Sequence, residues 1–332
     1  MNYSKYEDIL EIVPTTHDNN NNTFQEGKSN ETMISLIKNI LNQFKNSGPL
    51  IISLSGGVDS MVLMYIVKKI LNINTIAIHL NYNNRSETKK EADFLKKYCK
   101  YLEVPFELKE LDIIRGSINR TKYELITKNE RFIFYNEMLK KYDSIYILLG
   151  HHKDDIIENI FNNVCRDNDI LNLSVIGIHS KMLGVDILRP LINVFKNDIY
   201  TYSIDYNIPY FKDTTPDWCM RGIFRRQLLP ILEKSYNMFK LNLLNIDKQC
   251  CQWSNIIEIN IIKPFLNTIK HNYDEDNYLE SIEFNADKYI EYEFVFWKTI
   301  IKRIFHRMLI MNCPSDKSIK NLIEKINLNS DV

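Results

Sequence analysis

Two short segments concentrate the residue types that can do chemistry. Ser55-Gly56-Gly57-Val58-Asp59-Ser60 sets two adjacent glycines, two hydroxyls and a carboxylate within six residues. Gly150-His151-His152-Lys153-Asp154-Asp155-Ile156-Ile157-Glu158 places two histidines beside three acids. The first segment suits an anion. Glycines let backbone N–H groups approach a phosphate closely, and a helix that follows adds the positive end of its dipole. Ser55 and Ser60 add hydroxyl donors, and Asp59 fits beside phosphates if it holds Mg²⁺. A plain tight turn with a capping serine is the bland alternative. An apolar run before the turn and a helical pattern after it favour phosphate. In the second segment, clustered carboxylates repel unless a cation or an ammonium joins them. A helix starting near residue 154 puts Asp154 and Glu158 on one face, at i and i+4. Acids that merely complement the helix dipole explain one or two of the three.

Cations follow downstream. Arg189-Pro190-Leu191 precedes Lys196, and Asp213 precedes Arg221, Gly222 and Arg225. Arg221 and Arg225 are one helical turn apart and are able to clamp phosphates. A solvated basic face is the commoner reason for such spacing.

The elements that must position these residues can be read from periodicity. Short apolar runs at 50–54, 75–80, 106–111 and 145–149 read as strands. Helical spacing covers 31–45, the stretch after Ser60, 86–101, 121–141 and 154–165. This alternation predicts an α/β fold, a parallel sheet with helices on both faces. Both chemical segments then fall at the carboxyl edge of the sheet, where ligands bind in open α/β folds. Residues 1–28 are polar, carry the run Asn19 to Asn22 and read as a mobile tail. Residues 29–215 form the α/β domain. Helical periodicity dominates 216–332, interrupted by an acidic stretch from Asp274 through Glu283.

Composition narrows the class. Lys plus Arg and Asp plus Glu number 42 each in 332 residues, which argues against an indiscriminate nucleic-acid coat. Neutrality is compatible with a local basic face, at 221–226 or at Lys298, Lys302, Arg303 and Arg307. Average usage would give about 23 glycines. The chain has 9, so each is a candidate for a position that requires one, and four fall in the chemical segments. Six cysteines without a CxxC pair read as reduced thiols inside a cell. No apolar stretch is long enough for a membrane span, and the N-terminus lacks the pattern of a signal peptide. A cytoplasmic location is expected.

Taken together, SGGVDS, the strand ending in HLNYNNR, GHHKDD, RPL and the Asp213 to Arg225 segment resemble the tRNA(Ile)-lysidine synthetase family of PP-loop ATP pyrophosphatases. The resemblance covers roughly 48–235 and weakens over 285–327. It implies a PP-loop ATP-binding domain followed by a substrate domain, with ATP and Mg²⁺ as cofactors. The implied reaction adenylates the wobble cytidine of a CAU-anticodon tRNA(Ile). Free L-lysine then displaces AMP to give lysidine. The implied ATP-binding residues are Ser55, Gly56, Gly57, Val58, Asp59, Ser60, His79, Gly150 and His151. Asp59, Asp154, Asp155 and Glu158 become the catalytic acids, with Asp59 and Asp155 on the metal. Arg85, Arg166, Arg189, Lys196, Asp213, Arg221 and Arg225 become contacts to tRNA or substrate. A homodimer is one option for its assembly.

The sequence departs from the family pattern in places. HxxHGLR becomes His79, Tyr82, Asn83, Asn84, Arg85, and the usual DxSN becomes Asp213-Thr214-Thr215-Pro216. The family's small C-terminal tRNA-gripping domain is expected to be missing. Two other readings stand beside this one: a thiolase-type PP-loop enzyme, which needs cysteine pairs, and a relative that binds tRNA or nucleotide without catalysis.

Overall fold

In the computed structural model, strand β2 (Leu50–Ser53) shows how the sequence builds the sheet. Leu50 and Ile52 point into one apolar cluster, Ile51 into another. Alternate side chains of a strand face opposite ways, so a continuous apolar run needs cover on both faces. The structure describes residues 1, 3–12, 28–44, 48–111, 119–166, 168–173, 176–213, 215, 217, 219–273, 279–307 and 313–329.

In chain order the elements begin with β1 (Leu10–Ile12), α1 (Lys28–Gln43), β2, α2 (Val58–Tyr65), β3 (Thr75–Asn81), α3 (Thr88–Tyr101) and β4 (Phe106–Glu110). They continue with α4 (Arg120–Lys141), β5 (Tyr146–Leu148), α5 (Lys153–Cys165), β6 (His179–Met182), β7 (Val185–Leu188), α6 (Lys196–Asp205) and β8 (Tyr210–Phe211). The main sheet has the order β4-β3-β2-β5-β7-β6. Every neighbouring pair is parallel except β6 with β7. Strand order reverses direction between β2 and β5. That switch point opens a crevice at the carboxyl ends of the strands. One face is covered by α1, α2, α3 and α6, whose core includes Ile37, Met61, Leu63, Phe94, Leu95 and Tyr202. On the other face, α4 brings Phe132, Phe134, Tyr135 and Met138 against Ile51, Ile78, Ile147 and Ile187.

The fold class agrees with the sequence reading, with two corrections. The antiparallel edge pair β6–β7 had no clear apolar run. It forms through a two-residue turn at Leu183-Gly184, both with positive φ (48° and 83°), the geometry that suits tight hairpins. The reading of 1–28 as a tail fails for residues 3–12. Tyr3, Tyr6, Ile9 and Leu10 are buried in the core, and β1 pairs antiparallel with β8. Their apolar residues are spaced among charges, so composition hid them. Residues 13–27 lie outside the described residues.

The chain divides into two compact units, Met1–Asp247 and Lys248–Val332. The sequence reading set its division at 215/216. Residues 220–244 fall in the first unit because Phe224 packs against Phe161 (ring centroids 4.9 Å apart) and Leu243 and Leu244 join Ile156, Ile160 and Ile192. These residues form α7 (Met220–Ile223), a wide π-helical turn over Phe224–Leu228, α8 (Leu229–Ser235) and the start of α9 (Phe239–Ile257). The second unit holds α10 (Lys263–Thr268), a hairpin of β9 (Lys270–Tyr273) with β10 (Leu279–Glu283), α11 (Phe294–Arg307) and α12 (Asp316–Asn329). Its core gathers Phe265, Phe296, Trp297, Ile300 and Ile304. The acidic stretch read as a separator is a strand over 279–283, and residues 274–278 lie outside the described residues.

Candidate active site

The turn after β2 is built from its own residues. Gly56 has φ +85°, a conformation that L side chains rarely adopt. Gly57 precedes α2 in extended conformation. The Gly56 and Gly57 amides point at hydroxyls of the same turn, Gly56 N to Ser60 Oγ at 3.2 Å and Gly57 N to Ser55 Oγ at 3.4 Å. Ser60 Oγ in turn donates to Gly57 O at 3.0 Å. Amide bonds this long are weak. An anion at the start of α2 can replace them and gain the helix dipole.

Gly150 places the second segment against the first. A Cβ at residue 150 would lie 3.0 Å from Asp59 Cβ and 3.1 Å from Ser60 N, so a larger residue there would push the end of β5 and the turn apart by a few tenths of an ångström. Helix α5 then presents Asp155 and Glu158, which are 8% and 7% exposed. Asp155 Oδ2 accepts the His152 backbone N–H (3.1 Å). Arg225 donates to Asp155 Oδ1 (2.9 Å) and to Glu158 Oε2 (2.8 Å), and Arg221 Nε donates to Glu158 Oε1 (2.7 Å). Burial raises the Asp155 pKa, but His152, His151 and Arg225 outweigh it and hold the carboxyl below its ordinary range. Burial opposes charge on Arg225 as well, and Glu158 and Asp155 more than restore it. The wide helical turn at Phe224–Leu228 carries Arg225 into this pair, as π-turns often do at functional sites.

Asp154 goes elsewhere. Its Oδ2 accepts the Lys196 backbone N–H at 2.8 Å, and Oδ1 pairs with Lys240 at 3.0 Å. It caps the start of α6 and lines neither cavity described below. The expected pairing of Asp154 with Glu158 is therefore replaced by Asp155 with Glu158, at i and i+3.

Asp59 is held by Lys196, whose Nζ is 2.7 Å from both carboxylate oxygens. His152, named in the second segment but given no role there, lies between the acids. Its Nε2 is 3.5 Å from Asp59 and 3.4 Å from Asp155. The adjacent His151 instead lines the first cavity. Burial depresses the pKa of both histidines, partly opposed by Asp155 and, for His152, Asp59. His79 is buried, and its Nδ1–H donates to Leu54 O at 2.7 Å. Its pKa is also lowered by burial.

Two cavities flank the turn. The first, about 520 Å³, is lined by Leu54, Ser55, Asp59, His79, Tyr82, Arg131, Gly150, His151, Asp155, Arg221 and Arg225. The second, about 680 Å³, is lined by Glu11, Gly57, Lys196, Tyr200, Tyr210, Lys212 and Asp213. Ser55, Asp59, Arg85 and Arg225 line both. Arg85 reaches this shared wall while paired to Glu91 (2.7 and 2.8 Å). Tyr200, Tyr210, Arg131 and Glu11 belong to these walls but carried no sequence signal, since each lies in an ordinary helix, strand or terminal segment.

Two residues stay apart. Arg189 is 5% exposed and donates to Gly177 O and Ser180 Oγ, both at 2.9 Å, so it braces β6 and lines neither cavity. Arg166 is exposed beyond the C-terminal end of α5, the end opposite Asp155. Asp213 is at the rim of the second cavity, accepts from Thr215 N (2.9 Å) and pairs with Arg226 (3.4 Å). In the second unit, Lys298 pairs with Asp316 and Arg303 with Glu258. The Arg307 side chain lies outside the described residues.

Asp59 and Asp155 supply oxygen donors of the kind a hard divalent cation takes. Asp59 and Asp155 approach the same imidazole nitrogen and offer carboxylate oxygens. Among the described residues, no three His, Cys, Asp or Glu converge as a metal cage. Mg²⁺ is commonly held in this way, by one or two carboxylates with substrate phosphates completing its shell.

Comparison with known proteins agrees with this fold. A family model described as a PP-loop domain matches residues 29–232. A tRNA(Ile)-lysidine synthase of Francisella philomiragia is 30% identical over 223 residues, covering 66% of this chain and 55% of its own length. One from Staphylococcus aureus is 25% identical over 239 residues, covering 70% and 54% respectively. The chain spans about half the length of the curated relatives it matches. Among solved structures, a U34-tRNA thiolase from Methanococcus maripaludis is similar in fold, with a TM-score of 0.54 at 18% identity over 68% of this chain and 80% of that one.

Proposed function

The chain belongs to the PP-loop family, and on that premise we propose that it is an ATP-dependent tRNA(Ile)-lysidine synthase. The family implies ATP use. The observation that carries the reading is the meeting of the glycine turn and the Asp155–Glu158 pair at the sheet's switch point, with Arg225 reaching the wall that two cavities share. The similarity to lysidine synthases supplies the substrates.

In this reading the nucleoside of ATP occupies the first cavity. Its phosphates cross the shared wall to the Gly56 and Gly57 amides, the serine hydroxyls and the start of α2. Lys196 and Arg225 add positive charge there. Asp59 and Asp155 are the residues that would hold Mg²⁺, which would offset phosphate charge when bound. The C2 oxygen of the wobble cytidine attacks the α-phosphorus, and the bond to pyrophosphate breaks. Donors fixed by the fold stabilise the developing charge without reorganising. The ε-ammonium of lysine gives a proton to the Glu158 carboxylate, the free amine attacks C2 to form the C–N bond, and AMP leaves with that oxygen.

The acids and cations also suggest an order of events. Arg225 neutralises Asp155 and Glu158, and Lys196 neutralises Asp59. Phosphates compete for these same cations. Glu158, which the metal would not take, is then the acid left to receive the lysine ammonium. ATP therefore precedes lysine. Among the described residues, no cysteine lines either cavity.

The test is incubation of the protein with ATP, Mg²⁺, labelled lysine and a CAU-anticodon tRNA(Ile). Label should enter the tRNA with release of AMP. Absence of label under conditions where the protein binds ATP overturns the lysidine reading.

A further inference from the structure

We propose that residues 3–12 form a clamp that sets the geometry of the phosphate turn, with Leu10 and Phe211 as its positioning residues. This deepens the ATP-site reading above and rests on it. Residues 3–12 lie outside 29–232, the part of the chain that the PP-loop model matches, whereas Phe211 lies within it.

The clamp is anchored on α3. Tyr6 packs edge-on against Phe94 at 5.1 Å, its hydroxyl donates to Asp93 Oδ2 (2.6 Å), and it accepts from Lys97 Nζ (2.7 Å). Asp8 pairs with Lys90. From this anchor β1 runs alongside β8, with Leu10 opposite Phe211. Lys212 fastens the pair, its backbone N–H to Ile9 O (3.0 Å) and its Nζ to the carbonyls of Glu7 (3.4 Å) and Asp8 (3.1 Å).

Strand β8 then touches the turn directly. The Phe211 backbone N–H donates to Gly56 O at 2.9 Å. Its ring fills the space that a side chain at residue 56 would need, with Cε2 only 2.0 Å from the position of such a Cβ. The same ring meets Phe94 edge-on at 5.6 Å. Phe211 is thus held between the anchor helix and the glycine with positive φ.

Strand β8 is two residues long, and β1 is its only strand partner among the described residues. A ribbon this short has little stability of its own. Releasing β1 therefore frees β8, and with it the bond and the ring that hold Gly56. Amides that are no longer pre-positioned bind phosphate less tightly, because ordering them is then charged to binding. By linkage, phosphate binding must tighten the clamp by the same factor.

The test uses the full chain and Leu10→Asp, read by hydrogen exchange of segments 5–12 and 54–61 and by calorimetric titration with inorganic pyrophosphate and with ATP. Faster exchange in both segments and affinity weakened by about tenfold or more are expected. Tyr6→Phe keeps the ring on Phe94 and should stay near wild type. If Leu10→Asp fails to fold, Tyr6→Ala loosens the anchor without entering the ribbon. The clamp is overturned if segment 5–12 exchanges faster while segment 54–61 and pyrophosphate affinity stay unchanged. If the wild-type chain binds no ATP, the ATP reading falls, and coupled exchange of the two segments still decides the clamp.

Discussion

The turn at Ser55–Ser60 closes its internal hydrogen bonds over spans of two to five residues. The acids Asp155 and Glu158 are held by arginines that lie 63 to 70 residues further along the chain. One region uses backbone geometry, the other paired side chains. A turn of the first kind announces itself as a motif, because its glycines and serines must be adjacent. A network of the second kind leaves only scattered charges in the sequence. The two also fail differently. The turn is sensitive to the shape of one residue, and the network to loss of a counter-charge.

Gly56→Ala should break the turn most severely. It forces a Cβ into the Phe211 ring and a side chain onto φ +85°. An ATP-dependent activity should fall at least about 100-fold, since a misplaced oxyanion-type donor costs that much, with weaker nucleotide binding by calorimetry. Gly57→Ala sharpens the point. Its nearest neighbour is Ser55 Oγ at 3.6 Å, and its φ is −69°. Its melting temperature should stay close to wild type.

Arg225→Ala should break the network. It strips two bonds from buried Asp155 and Glu158. Removing the shared counter-charge of two buried carboxylates costs on the order of 3 kcal/mol, measurable by denaturant unfolding. An unchanged midpoint would show that water or Arg221 compensates. Lys196→Met should act more on function than on folding. Asp59 is a quarter exposed, so loss of its partner should cost only about 1 kcal/mol, while ATP affinity drops by about tenfold if the lysine meets phosphate.

The smallest effect is a pH slope. His79, His151 and His152 have pKa values lowered by burial, from an ordinary 6.5. The unfolded chain takes up their protons first. Stability should therefore be level above pH 6.5 and fall as pH drops below it, because the unfolded state binds more protons there. His79→Gln should reduce that slope in thermal unfolding between pH 7.5 and 5. An identical slope would remove His79 from the account.

The sheet was readable because β2, β3 and β5 are apolar runs buried on both faces, and their helices keep clean periodicity. Strands β6, β7 and β8 were not. They are two to four residues long and owe their form to a turn or to a partner. Within the site, the glycine turn and the acids were visible as types. Arg85, Lys196 and Arg225 were named as contacts to tRNA or substrate, but their pairing with Glu91, with Asp59 and with Asp155 and Glu158 was not legible, because no local spacing links them.

By itself, the sequence determined the α/β alternation, the glycine turn and its place after a strand, and the presence of acids after another strand. These follow from local rules: residue periodicity, φ freedom and helix polarity. Only the tertiary structure decided which acids face each other, which glycine is obligatory and which cations enter the site. Asp154 turned to cap α6 while Asp155 took Arg225. Gly56 became irreplaceable because Phe211 occupies its side-chain space. Residues 3–12, polar in composition, became core because β8 offered an edge and Phe94 a surface. Each of these outcomes depends on a neighbour distant in the chain, and no local pattern carries that information.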